Sequence, residues 1–189
     1  MAADLSEIRA RIDAIDPQIR ELLMKRLDCG GDVAQAKLKA GETTIYRPDR
    51  EEAILKRMGE GVPEDRLRSY LAVVRKIMEA SRMYQYGLMY EALGDPFAPL
   101  AKGLDMKPGL PWVKVRVTRP DTPGSMASIL GMIGDYGFNV ERMEQLEPEE
   151  AGTAAFELMI RGDLNELRMK RLMFQLSKEC GNFKILACG

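Results

Sequence analysis

Apolar side chains recur near the start of the chain at alternating steps of three and four: Leu5, Ile8, Ile12, Ile15, Ile19 and Leu22. That spacing is the seam of an amphipathic helix that packs on other helices, and it predicts a helix over about 4–40. The next seam position is charged, Arg26, after which Cys29 and Val33 resume the pattern and Lys37 follows one turn on. Gly30 and Gly31 lie inside this helix at about 1 kcal/mol each relative to alanine, as a local weakness or a point of close backbone approach. The segment AGETTIYRPDR breaks the pattern. A short helix from about Asp49 then carries Glu51, Ile54, Leu55 and Met58 on one face, and Gly59, Gly61 and Pro63 end it. A third helix begins near Glu64 and runs to about 92, with Leu67, Leu71, Val74, Met78, Ser81, Gln85, Leu88 and Ala92 as its seam.

After that helix the pattern changes. Four prolines and three glycines between Gly94 and Pro111 read as a linker over 93–110. Val113, Val115 and Val117 then alternate with polar residues, as in a half-buried strand. The turn RPDTPG leads into a helix, SMASILGMIGDYG. Strands from about Asn139 and over about Thr153–Ile160, a helix over about Asp163–Cys180 and a last strand, FKILAC, complete the order βαββαβ. The expected fold class is therefore α + (α+β): a three-helix all-α domain over 1–92, and a ferredoxin-like domain over 111–189 with helices on one face of an antiparallel sheet.

The interruptions of the helical seams carry the candidate chemistry. Arg26, Lys37, Glu51, Ser81 and Gln85 all occupy positions their helices would otherwise fill with apolar side chains. One such residue can set register or reach solvent with its head group. Five of them on three helices describe a polar pocket, because uncompensated buried charge is costly. Arg26 and Lys37 are eleven residues apart, about three whole turns, so both face the same way and want an anion. Arg9 lies seventeen residues before Arg26, about 25 Å along the helix, so it cannot serve the same pocket within one chain. A functional Arg9 would reach the pocket of a second subunit; otherwise it is a solvated surface arginine.

Composition narrows the chemistry. The chain of 189 residues is 46% hydrophobic and 30% charged with a net charge of −1, an ordinary globular balance with no overall pull toward nucleic acid or anionic membrane. No apolar run is long enough for a membrane span, and the N-terminus enters a helix at once rather than a signal-peptide core, so a cytoplasmic location is expected. Three widely spaced cysteines, Cys29, Cys180 and Cys188, argue against a disulfide framework or zinc site. The absence of histidine excludes Ser-His-Asp and Cys-His catalysis and histidine-ligated metals.

The blocks IRARIDAID, LLMKR, VAQAK, RPDREE and EASRMYQ, in this order over residues 5 to about 88, resemble the all-α class of chorismate mutases. The resemblance implies an intertwined helical homodimer, no cofactor and no metal. It also assigns the site: Arg9 from the partner and Arg26 hold substrate carboxylates, and Lys37 and Gln85 bond the ether oxygen of the breaking bond. Glu51 accepts from the ring hydroxyl, Arg50 supports that region, and Ser81 lies near a carboxylate. Arg9, Arg26 and Lys37 against Glu51 leave a net charge of +2, which suits the chorismate dianion. The pattern breaks at Arg47, where some members carry an acid near the substrate hydroxyl. In the C-terminal part, DTPGSMASIL at the first strand-to-helix turn resembles an ACT domain. That implies an amino-acid effector held by Asp121, Gly124, Ser125 and Met126 at the turn, with Asn139 as a second contributor; the alternative is a tight capped turn without a ligand. The ending FKILAC is most similar to the regulatory domain of phenylalanine-sensitive prephenate dehydratases, although of their Glu-Ser-Arg-Pro motif only Pro148 agrees. Two other readings stay open, a lyase of the same fold acting on isochorismate and a non-catalytic dimeric amino-acid sensor.

Overall fold

The computed structural model describes residues 4–189. The chain divides into two compact units, Met1–Gly41 with Arg47–Gln85, and Glu42–Tyr46 with Tyr86–Gly189.

The first unit is helical. Helix α1 spans Leu5–Lys39, opened by Asp4, whose carboxylate accepts from the Ser6 amide at 3.2 Å. Helix α2 spans Pro48–Gly59, with proline at its first turn, where a missing N–H costs nothing. Helix α3 spans Glu64–Ala92 and contributes its residues up to Gln85 to this unit. The buried stripe of α3 here consists of Val74, Met78, Ser81, Arg82 and Gln85. It differs from the seam read in the sequence, since Arg82 is buried, Leu88 is half-buried and Ala92 is exposed.

The seam of α1 is left exposed by the described residues. Leu5, Ile8, Ile12, Ile15, Ile19 and Leu22 are all outward in the single chain, between 38% and 66% exposed. Cys29 and Val33 are exposed too, and α1 buries Gly30, Gly31 and Ala34 instead. Pro17 sits within α1 and removes one intrahelical hydrogen bond from the uncovered part.

The second unit is built on a sheet. Its strands are β1 (Trp112–Pro120), β2 (Asn139–Leu146), β3 (Thr153–Arg161) and β4 (Gly181–Cys188), and its helices are α4 (Ser125–Asp135) and α5 (Leu167–Glu179). The strand order is β2-β3-β1-β4 and every pairing is antiparallel, which is the expected βαββαβ ferredoxin-like arrangement. The register sets Val113, Val115 and Val117 opposite Ile160, Leu158 and Phe156, and this face packs with Ile129, Ile133, Leu172 and Leu176 as the core. On the other face Arg116 stands opposite Glu157 and bonds it at 2.6 Å, with Lys114 as a second partner.

Residues 93–110 form no strand or helix and belong to this unit. Phe97 is buried, and the Gly109 amide donates to Asp163 at 2.6 Å. Asp163 also accepts the Asn165 amide at 2.8 Å, and these bonds hold its carboxyl below the usual range. They delay α5, which begins at Leu167 rather than at Asp163. The last turns of α3 belong here as well, with the Tyr86 and Tyr90 rings edge-on to Phe174 at 6.0 and 5.8 Å. The Tyr86 hydroxyl accepts the amides of Ile45 and Tyr46 at 3.0 and 3.2 Å, which fastens residues 42–46.

Candidate active site

Ser81 and Gln85 lie one turn apart on α3, and both are buried. Gln85 Nε2 donates to the carbonyl and the hydroxyl oxygen of Ser81, each at 3.1 Å. Gln85 Oε1 is buried without a hydrogen-bond partner among the described residues, so the carboxamide keeps bonding capacity that the fold leaves unused. Opposite this pair stands Gly30 of α1. A β-carbon there would lie 3.0 Å from Ser81 Oγ and 3.5 Å from Gln85 Nε2, tighter than an ordinary contact in the first case. Gly30 is therefore a point of close helix approach rather than a weak spot.

Gly30 also orients the two cations of α1. At about 100° per residue, Arg26 and Lys37 both project within roughly 40° of the Gly30 direction. They thus flank the contact with Ser81 and Gln85 from one turn before and two turns after. Lys37 is half-buried, whereas Arg26 is exposed in the single chain. Arg9 and Arg50 are exposed as well.

Glu51, in the first turn of α2, is bonded to the guanidinium of Arg82, which is only 5% exposed. The sequence reading missed Arg82. Its signal was available, since Arg82 stands four residues after Met78 and four before Tyr86, a charge in a second apolar row beside the one read as the seam. One chain therefore gathers Gly30, Ser81 and Gln85 on one side of α3 and Glu51 with Arg82 on another, while Arg9 stays on the uncovered length of α1. Arg47, at the N-cap of α2, pairs with Asp49 at 3.1 Å and draws the Asp49 carboxyl below its usual range.

In the second unit, Gly124 caps α4 with φ +90°, a left-handed conformation that favours glycine. Ser125 closes this turn with its own groups: its amide donates to the Thr122 carbonyl at 3.1 Å, and its hydroxyl to the Pro120 carbonyl at 2.7 Å. The turn thus consumes the Ser125 amide, which is not free to receive a ligand carboxylate. The Asp121 amide donates to the Gly152 carbonyl at 2.9 Å, and Asn139 opens β2 on an exposed edge opposite Arg161.

Other chemistry finds little support. Burial pushes the Cys180 thiol up to about 12, against the opposing pull of Arg119, so it is a poor nucleophile near neutrality. Among the described residues, no group of three or more acidic or cysteine side chains is arranged to hold a metal, and no helix is long and apolar enough to cross a membrane.

Residues 8–86 match the family model of chorismate mutase type II, and residues 113–172 match that of the ACT domain. A bifunctional chorismate mutase/prephenate dehydratase of Stutzerimonas stutzeri is 40% identical over 63 residues, 31% of this chain and 17% of that protein. A T-protein of Enterobacter agglomerans is 35% identical over 86 residues, 43% of this chain and 22% of its own length. The chain thus matches about a fifth of the length of these curated relatives. A solved prephenate dehydratase in complex with L-Phe from Arthrobacter aurescens aligns with a TM-score of 0.41 at 23% identity, over 44% of this chain and 28% of that one. By these matches the chain carries a chorismate mutase type II domain followed by an ACT domain.

Proposed function

We propose that this chain is a cytoplasmic chorismate mutase that works as a homodimer, each site being completed by Arg9 of the second copy, and that an aromatic amino acid bound by the ACT domain modulates it. The observation that carries the reading is the buried polar pair Ser81–Gln85 pressed against Gly30, with Arg26 and Lys37 on the same face of α1. A helix crossing that served packing alone would be stabler with apolar residues there.

The chemistry suits the residues. Converting chorismate to prephenate breaks one C–O bond and forms one C–C bond within a single molecule, and it needs no nucleophile, metal or proton relay. A site accelerates it by holding the compact conformer and by stabilising the negative charge that grows on the ether oxygen. In this reading Arg26 and Arg9 of the partner hold the two carboxylates, with Ser81 beside one of them. Lys37 donates to the ether oxygen, as does Gln85 once its Nε2 turns from Ser81, Glu51 accepts from the ring hydroxyl, and Arg50 borders that end. In the ACT domain the turn Asp121–Met126 and Asn139 are the proposed effector contacts, with the Met126 amide in place of that of Ser125.

The reading is tested by incubating purified protein with chorismate, following its loss and the appearance of prephenate, with and without phenylalanine, tyrosine and tryptophan. Conversion well above the uncatalysed rate supports it. Unconverted chorismate, alone and with each amino acid, refutes it.

A further inference from the structure

Among the described residues of the helical unit, Arg82 is the one buried charge. Its row on α3 is otherwise apolar, with Val74 and Met78 before it and Tyr86 after it. Packing alone would be met by a leucine or methionine, and a buried guanidinium is tolerated only with a partner that offsets its desolvation. That partner is Glu51, bonded through Oε1 to Arg82 Nη1. The ion pair adjoins Ser81 in sequence and lies one turn before Gln85, so it borders the polar pair of the proposed site.

Glu51 poses an electrostatic difficulty in that site. It faces a substrate with two carboxylates, and a bare carboxylate in a partly desolvated pocket repels such a ligand. We propose that Arg82 is a positioning residue that resolves this. It cancels the charge of Glu51 and fixes Oε1, and so leaves Oε2 to accept the ring hydroxyl of the substrate. Arg82 acts through Glu51 and touches no reacting atom. This inference rests on the proposed mutase reading and adds to it a determinant of substrate affinity.

The test is steady-state kinetics on the full chain, with thermal unfolding in parallel, for wild type, Arg82→Met, Arg82→Lys, Glu51→Gln and the double variant. Arg82→Met should raise KM for chorismate roughly tenfold or more, with a smaller fall in kcat. Arg82→Lys, which keeps the charge, should stay within about threefold of wild type. Glu51→Gln should lower kcat/KM in the wild-type background yet raise it in the Arg82→Met background. A merely structural pair does not produce that change of sign. The double variant removes both charges of the pair and guards against a single variant that fails to fold. Compared with Glu51→Gln alone, it should show KM within about threefold. An Arg82→Met protein with lowered Tm and unchanged KM overturns the proposal, as does a tenfold KM difference between Glu51→Gln and the double variant. A wild-type chain that leaves chorismate unconverted refutes the mutase reading first, and this inference falls with it.

Discussion

Arg26 stands one turn before Gly30 and within about 40° of its direction, so in the proposed complex it meets the substrate beside Ser81 and Gln85. Arg26→Ala removes a charge-assisted contact to a carboxylate. We expect kcat/KM for chorismate to fall by about 10²–10³ while the far-ultraviolet circular dichroism stays that of wild type. Near-normal activity would refute the assigned site. Gly30 offers a finer test, because two effects oppose there. Alanine improves helix propensity by about 1 kcal/mol, but its β-carbon would press Ser81 Oγ at 3.0 Å. Ser81 Oγ is already engaged by Gln85, so it has little room to yield. Gly30→Ala should therefore change stability by less than about 1 kcal/mol and lower kcat/KM by roughly tenfold. Adding Ser81→Ala should raise Tm above that of Gly30→Ala alone, since the crowded oxygen is gone; an unchanged or lower Tm contradicts the steric account. Individual residues were only partly legible in the sequence. A polar residue that breaks an apolar period stands out, as Ser81 and Gln85 do. Arg82 escaped because one seam was drawn on a helix that buries two adjacent rows. The role of Gly30 needed its neighbour across the crossing, which no single-helix period contains.

Elements were more legible than residues, because periodicity is a property of a whole segment. The three helices and the βαββαβ order follow from their 3.6- and 2-residue periods, and α3 begins and ends where the sequence placed it. Misreadings arose where tertiary bonds compete with local preference. Asp163 shows this, for its bonds to Gly109 and Asn165 delay α5 by several residues. Tyr86 gives the clearest stability test at this scale. Its hydroxyl accepts two backbone amides, and Tyr86→Phe leaves both without that acceptor. We expect a loss of about 2 kcal/mol, read as a Tm lower by roughly 4–8 °C in calorimetry. An unchanged Tm would show that those amides find other partners. Helix α1 poses the opposite case, an element whose amphipathic pattern is clear and whose apolar face is left exposed by the described residues. A helix of this length with proline inside it is marginal in water without packing. Ile12→Asp combined with Ile19→Asp should therefore yield a monomer with reduced helicity and no mutase activity, as measured by light scattering, circular dichroism and chorismate turnover. A dimer of wild-type helicity would show that this face is not the interface.

For the whole molecule, the exposed seam of α1 and the position of Arg9 make one argument. The apolar face needs a cover, and Arg9 lies about 25 Å along the helix from Arg26, too far to join it in one chain. A second copy supplies both needs at once if two α1 helices pair in a two-fold dimer. The central claim, a site shared between copies, is tested most directly by complementation between Arg9→Ala and Arg26→Ala. Each homodimer has the same defect in both sites and should be nearly inactive. In a mixed dimer one site receives both defects and the other receives neither. Random reassociation of equal amounts makes half the dimers mixed, so the mixture should recover about a quarter of wild-type activity. Recovery at that level, absent from either variant alone, is the predicted result. A mixture, shown by mass spectrometry to contain mixed dimers, that stays as inactive as its components would contradict the shared site.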